Sequence, residues 1–218
     1  MARTEREGPP VPRLLRADTD AGALLLEAIV PGRALLADPA PPLPEACGAL
    51  LRALAAPAPP DELPALGERV EWIFELWLAR RAAEPGPRAA VPEGLLERGR
   101  AAARELIADG AAPVALVHGD LHPGNVLDGG PARGLVAIDP RPCAGDPAFD
   151  AVDLVLHGVE QVAVARERIA LVAAHAGGDA DRIAGWCAAL AALDAAALAA
   201  RDTPPAPAAL ATLRALAA

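Results

Sequence analysis

Residues 117–127 read VHGDLHPGNVL. Two histidines, an aspartate and an asparagine fall within eight positions, flanked by apolar runs. Two further stretches share this texture: NVLDGG from residue 125 and GLVAIDP from residue 134. Each is a short β-prone run ended by Gly, Pro or Asp, so the spacing predicts brief strands joined by tight turns. The rest of the chain reads as helix. Polar groups gathered on loops between rigid elements are where chemistry usually sits.

Outward from this island, residues 45–56 and 93–109 carry helical spacing, the latter stopped by Gly110. Residues 65–83 place Val70, Ile73, Phe74, Trp77 and Leu78 on one stripe, which predicts an amphipathic helix whose tryptophans, Trp72 and Trp77, pack the core. Further helices are expected near 149–159, 162–176, 180–201 and 207–217. GALLLEAIV, residues 22–30, is an apolar run ended by Pro31-Gly32 and reads as a buried strand. Residues 1–13 read as a polar, frayed entry and ADPAPPLP, ending at 44, as a loop.

Composition narrows the function classes. Apolar residues make up 53% of 218, enough for a sizeable core, yet aromatics are only 2%. Alanine and leucine must therefore supply that core, which favours helices. The net charge of −9 repels nucleic acid. All 20 basic residues are arginine, so chemistry that needs a lysine has no group to use. Cys47, Cys143 and Cys187 are few and far apart, which speaks against a disulfide framework or a zinc site. No secretory leader is visible in the opening residues, and prolines and charges interrupt every apolar stretch, so no membrane span is expected. A cytoplasmic location is the expectation.

Asp120 precedes Asn125 by five positions, and Asp139 closes the GLVAI run fourteen positions further on. Two facing strands would bring the amide and the second carboxylate together, and oxygen donors suit a hard cation such as Mg²⁺. The free carboxylate, Asp120, suits acceptance of an alcohol proton. Base, amide ligand, strand turn and carboxylate ligand are the parts of phosphoryl transfer from a nucleotide.

HGDLHPGN followed by VAIDP and GDPAFD resembles the aminoglycoside phosphotransferase family, a kinase-like fold, and most of all its streptomycin and hydroxyurea phosphotransferase branch. The H-x-D-x-x-x-x-N spacing is also that of the protein-kinase catalytic loop. The resemblance implies an α+β, mostly helical fold. Residues 1–30 would be a remnant of the small lobe and hinge, and residues 31–218 a kinase-like large lobe. The latter would carry a catalytic loop at 117–127 and a metal-binding loop at 135–150. It implies Asp120 as base, Asn125 and Asp139 as metal ligands, and Glu27, Ala28 and Ile29 as the nucleotide hinge. His118 would brace the loop; His122 would pack it or touch the acceptor. Arg141 would meet a phosphate or lie on the surface. Asp146 and Asp150 would fix the following loop and helix, with a helix cap as the other reading of Asp146. The cofactors implied are Mg²⁺ and ATP, and the partner a cationic, aminoglycoside-like alcohol.

The family's small lobe also carries a glycine-bearing phosphate loop and a lysine. Residues 1–21 contain neither. A truncated or decayed kinase-fold chain that binds ligand without turnover is therefore the alternative, and a partner that completes the site is a third. The strand at 22–30 would become an open sheet edge and promote self-association. A metallophosphatase reading of Gly119-Asp120-x-His122 fails, because Pro123 replaces the required glycine, no GNH triplet follows, and GLVAIDP has no role.

Overall fold

The structure, a computed structural model, describes residues 8–37, 42–83, 86, 91–200 and 206–218. Residues 1–7 of the expected polar entry and 38–41 of the expected loop lie outside it.

Apolar periodicity builds the helices. They are α1 (Pro44–Ala55), α2 (Leu66–Ala83), α3 (Glu93–Ala108), the short α4 (Gly130–Arg133) and α5 (Val152–Leu156), then α6 (Val162–Ala176), α7 (Ala180–Ala199) and α8 (Pro207–Leu216). The Asp179 carboxylate caps α7 by accepting from the Asp181 and Arg182 amides. Gly177 ends α6 in the left-handed region, at φ 73°. Among the described residues six strands form three antiparallel pairs: β1 (Leu14–Asp18) with β2 (Ala23–Leu26), β3 (Ala115–Val117) with β6 (Cys143–Gly145), and β4 (Val126–Asp128) with β5 (Leu135–Ala137). The fold is α+β and mostly helical.

The core is made as the composition requires, from small side chains around a few large ones. Trp186 on α7 is fully buried and meets Phe149 edge to face, with centroids 5.4 Å apart. α7 packs against α3, α5, α6 and α8. It is also long and apolar enough to cross a bilayer, contrary to the sequence expectation. Here that apolarity serves burial, for its alanines and leucines line the core. Two crossings depend on glycine. A Cβ on Gly99 of α3 would collide with the Ala189 carbonyl oxygen of α7, and one on Gly48 of α1 would meet the Val172 oxygen of α6 at 2.8 Å. Cys47, Cys143 and Cys187 are free and buried. Burial pushes the thiols of Cys47 and Cys143 up to about 12 and about 11.

Two sequence expectations need correction. The run at 22–30 does form a strand, but β2 is exposed throughout: Leu24 is 67% accessible and Leu25 58%. An apolar run reports what a strand buries only when another layer covers it, and no described residue packs over β1–β2. Trp72 is 52% exposed, not a core residue, whereas Trp77 packs partly against the core. Both instead line a large cavity.

The strand pairs carry the rest of the frame. The Ala137 amide donates to the Pro10 carbonyl at 2.8 Å, and the Asp128 amide to Arg33 at 2.8 Å, so chain segments flank the β4–β5 pair on both edges. Replacing Gly99 or Gly48 by alanine is expected to destabilise the chain by about 1–3 kcal/mol, despite alanine's better helix propensity. Urea unfolding of each variant checks this.

Candidate active site

The 117–127 loop leaves β3 and crosses to β4. Gly119 turns it at φ 77°, and a Cβ there would collide with the Arg141 carbonyl. His118 is buried. Its Nε2–H donates to the Ile138 carbonyl at 3.0 Å, and its Nδ1 accepts weakly from the Asp120 amide at 3.4 Å. Burial lowers its pKa and favours the neutral ring, so His118 holds the loop against β5. His122 starts a 3-10 turn at Pro123–Asn125, with Nδ1 accepting from the Gly124 amide at 3.0 Å.

Asn125 is buried, and its Nδ2 donates to the Asp120 backbone carbonyl at 3.0 Å. That bond fixes the amide and leaves Oδ1 as its acceptor end. The Ile138 amide donates to the Asn125 carbonyl at 2.9 Å, so the ladder Val126↔Ala137 continues outward to this pair. Asn125 and Asp139 therefore sit at the same end of the β4–β5 hairpin. Asp139 is exposed and adopts φ 52°, unusual for a residue with a side chain. No described residue hydrogen-bonds its carboxylate. Among the described residues no three His, Cys, Asp or Glu side chains are grouped to hold a metal ion. The protein offers two side-chain oxygens here, which fits Mg²⁺, a cation that keeps several waters and takes phosphate oxygens.

Asp150 holds the loop from below. Its Oδ2 accepts from the His118 amide at 2.6 Å and its Oδ1 from the Gly119 amide at 3.0 Å. Asp146 does two jobs. Its Oδ1 accepts from the Ala148 amide at 2.9 Å and caps the 3-10 turn Pro147–Ala151. Its Oδ2 accepts from Trp186 Nε1 at 2.6 Å and from Arg182 Nε at 2.5 Å. Arg182 also reaches Asp109 and the Leu106 carbonyl, tying α7 to α3.

The other expected residues fall elsewhere. Arg141 is exposed on the cavity rim, its amide donating to the His118 carbonyl at 2.8 Å. Glu27 follows β2: its amide donates to the Arg13 carbonyl, and its carboxylate binds Arg13 at 2.8 Å and Arg133 at 2.5 Å. The Arg133 guanidinium holds that carboxyl down at about 2. Ala28 and Ile29 lie in the following linker with no regular secondary structure.

A cavity of about 1000 Å³ opens beside the loop, lined in part by Trp72, Trp77, Asp120, His122, Asp153 and Asp194. The sequence reading missed four of the groups around it. Arg69 of α2 donates to the Gly119 carbonyl at 2.9 Å and to Asp120 Oδ1 at 3.2 Å. Trp72 stacks on that guanidinium, 4.7 Å from its ring centroid. Asp153 and Asp194 hydrogen-bond each other, and burial raises the Asp153 carboxyl. The repeated aspartate in FDAVD (149–153) was the available signal for Asp153; the others have none.

Burial pushes the Asp150 carboxyl up to about 7, against the pull of its two amide donors. The folded chain thus binds this proton more tightly than the unfolded one. The stabilisation is complete below the ordinary value of 3.8 and fades as pH rises through about 7. The stability of the wild-type chain relative to Asp150→Asn is therefore expected to fall between about pH 4 and pH 7 and to level off above that, as followed by urea unfolding at each pH.

Comparison with known proteins gives this geometry a family. The family model of aminoglycoside/hydroxyurea antibiotic resistance kinases matches residues 4–202. Hydroxyurea phosphotransferase of Kitasatospora aureofaciens is 32% identical over 186 residues, covering 80% of this chain and 50% of that protein. Streptomycin 6-kinase of Streptomyces glaucescens is 32% identical over 197 residues, covering 82% and 59%. The chain thus spans between half and three-fifths of the length of these relatives. Among solved structures, a choline/ethanolamine kinase family protein from Mesorhizobium loti superposes with TM-score 0.62 at 19% identity, covering 94% of this chain and 72% of that one. The GDP complex of aminoglycoside 2'-phosphotransferase-IIIa gives 0.53 at 18%, covering 96% and 76%. The structural likeness is one of fold, and it is kinase-like. By sequence, the chain belongs to the aminoglycoside/hydroxyurea antibiotic resistance kinase family.

Proposed function

We propose that this chain carries the acceptor and metal half of an ATP-dependent phosphotransferase acting on a hydroxyl of a small, aminoglycoside-like molecule. The observation that carries the reading is the hairpin end. Asn125 pairs with Ile138 there, one residue before Asp139, and the Asn125 side-chain amide is bonded to the Asp120 backbone. Family membership supports the same chemistry.

Asn125 and Asp139 would hold Mg²⁺. When bound, ATP would supply the phosphoryl group and Mg²⁺ would neutralise charge on its oxygens. Asp120, beside the cavity, orients the acceptor hydroxyl and accepts its proton as the oxygen bonds to the γ-phosphorus. The bond from that phosphorus to its bridging oxygen breaks, and ADP leaves. His118, neutral and buried, holds the loop and takes no proton. The acidic cavity wall suits a cationic acceptor, and the aromatic side of Trp72 and Trp77 suits its apolar frame.

A second reading rests on the absence of any lysine from these 218 residues: a kinase-fold chain that binds ligand without turnover. Transfer from ATP to streptomycin or hydroxyurea, measured by phosphate-labelled product, separates the two. Asp120→Ala is expected to lower kcat by about 10²–10⁴-fold. Streptomycin binding without any product selects the second reading.

The exposed β1–β2 pair supports a further partner, a second copy of this chain. Leu14, Leu15, Leu24, Leu25 and Leu26 stand open to solvent on a two-stranded ribbon whose edges pair with no other strand among the described residues. Such ribbons are marginal alone and pair readily. Sedimentation velocity is expected to show concentration-dependent association that Leu24→Glu/Leu26→Glu abolishes.

A further inference from the structure

Arg69 reaches the 117–127 loop from 50 positions away. Its Nε donates to the Gly119 carbonyl at 2.9 Å and its Nη2 to Asp120 Oδ1 at 3.2 Å. Its side chain is 15% exposed and that of Asp120 35%. Trp72, one turn along the same helix, lies against the guanidinium at 4.7 Å. Neighbouring Val70 and Phe74 are fully buried, so the stem of Arg69 leaves a fixed stretch of α2.

We propose that Arg69 is a positioning residue for Asp120. It holds one carboxylate oxygen and leaves the other turned toward the acceptor hydroxyl. This rests on the reading of Asp120 as the base. The physical reason lies in the freedom of an aspartate. Besides flipping about χ2, its carboxylate can swing about χ1, which carries both oxygens away from the acceptor. A guanidinium anchored at once to the Gly119 carbonyl and to Oδ1 fixes that rotation relative to the loop backbone. Only a planar fork does this, because a lysine ammonium is a point charge with no set direction. The other cations on the cavity wall make no such bond. Arg80 lies over Trp77 at 5.3 Å, and Arg141 engages the loop through its backbone. Fixing the base matters because small misplacements of reacting groups cost rate steeply.

The experiment uses the full chain as wild type, Arg69→Leu and Arg69→Lys. Two quantities are read: kcat and KM for transfer from ATP to streptomycin, and the Asp120 Hα–Hβ couplings by NMR. Arg69→Leu is expected to lower kcat about 10²-fold, with KM for streptomycin unchanged within about 3-fold. Arg69→Lys should fall between. The couplings should change from those of one rotamer to averaged values. A single Asp120 rotamer in both variants overturns the proposal whatever the rates. So does an unchanged kcat with a raised KM, which would make Arg69 an acceptor contact. If the wild type transfers nothing, the functional reading fails and the couplings alone decide: averaging in the variants upholds the clamp, a single rotamer overturns it. Should Arg69→Leu not fold, Arg69→Lys carries both measurements.

Discussion

The site depends on one buried carboxylate. Asp150 accepts the amides of His118 and Gly119, and those two residues set the direction in which Asp120 leaves the strand. A buried carboxylate without donors would be costly, and two buried amides without an acceptor would be nearly as bad. Together they satisfy each other. Asp146, four positions earlier, fixes the other end of the same turn through Trp186 and Arg182 on α7. The longest helix of the core is thereby connected, through one short turn, to the loop that bears Asp120. The loop borrows its rigidity from the core.

The second half of the site is positioned by a different device. β4 and β5 contain three residues each, too few to be stable alone. They are supported by Pro10 on one edge and Arg33 on the other, and by the His118 ring bonded to Ile138. Asp139 then leaves the sheet in a conformation that asparagine, aspartate and glycine tolerate best. Pro140 follows, and it favours extended backbone for the residue before it, so the positive φ of Asp139 is held against local preference by the structure around it.

Much of this was legible because it is local. Asp120, Asn125 and Asp139 lie within twenty positions on two turns, and glycines mark where the backbone doubles back. α1, α2 and α3 follow their apolar periods closely. What was illegible depends on distant partners. Arg69 is one of 20 arginines, and nothing near it in sequence marks it as the one that reaches Gly119 and Asp120. Arg182 and Trp186 meet Asp146 from 36 and 40 positions away. β6 (Cys143–Gly145) shows no alternation and exists because β3 lies beside it. GALLLEAIV misled in the opposite sense. Apolarity was read as burial, yet burial requires a neighbour, and among the described strands β2 pairs with β1 alone. Trp72 misled likewise, being a cavity wall rather than core.

The segments leading into and out of the ribbon run along the β4–β5 hairpin. Residue 10 lies along β5 just before β1, and residues 32–34 lie along β4 just after β2. Arg133, on the turn between β4 and β5, grips Glu27 and the carbonyls of Pro9 and Val11. The ribbon is thus a handle whose two arms run down opposite flanks of the hairpin. The ribbon is therefore anchored to the same hairpin that carries Asn125 and Asp139 at its far end.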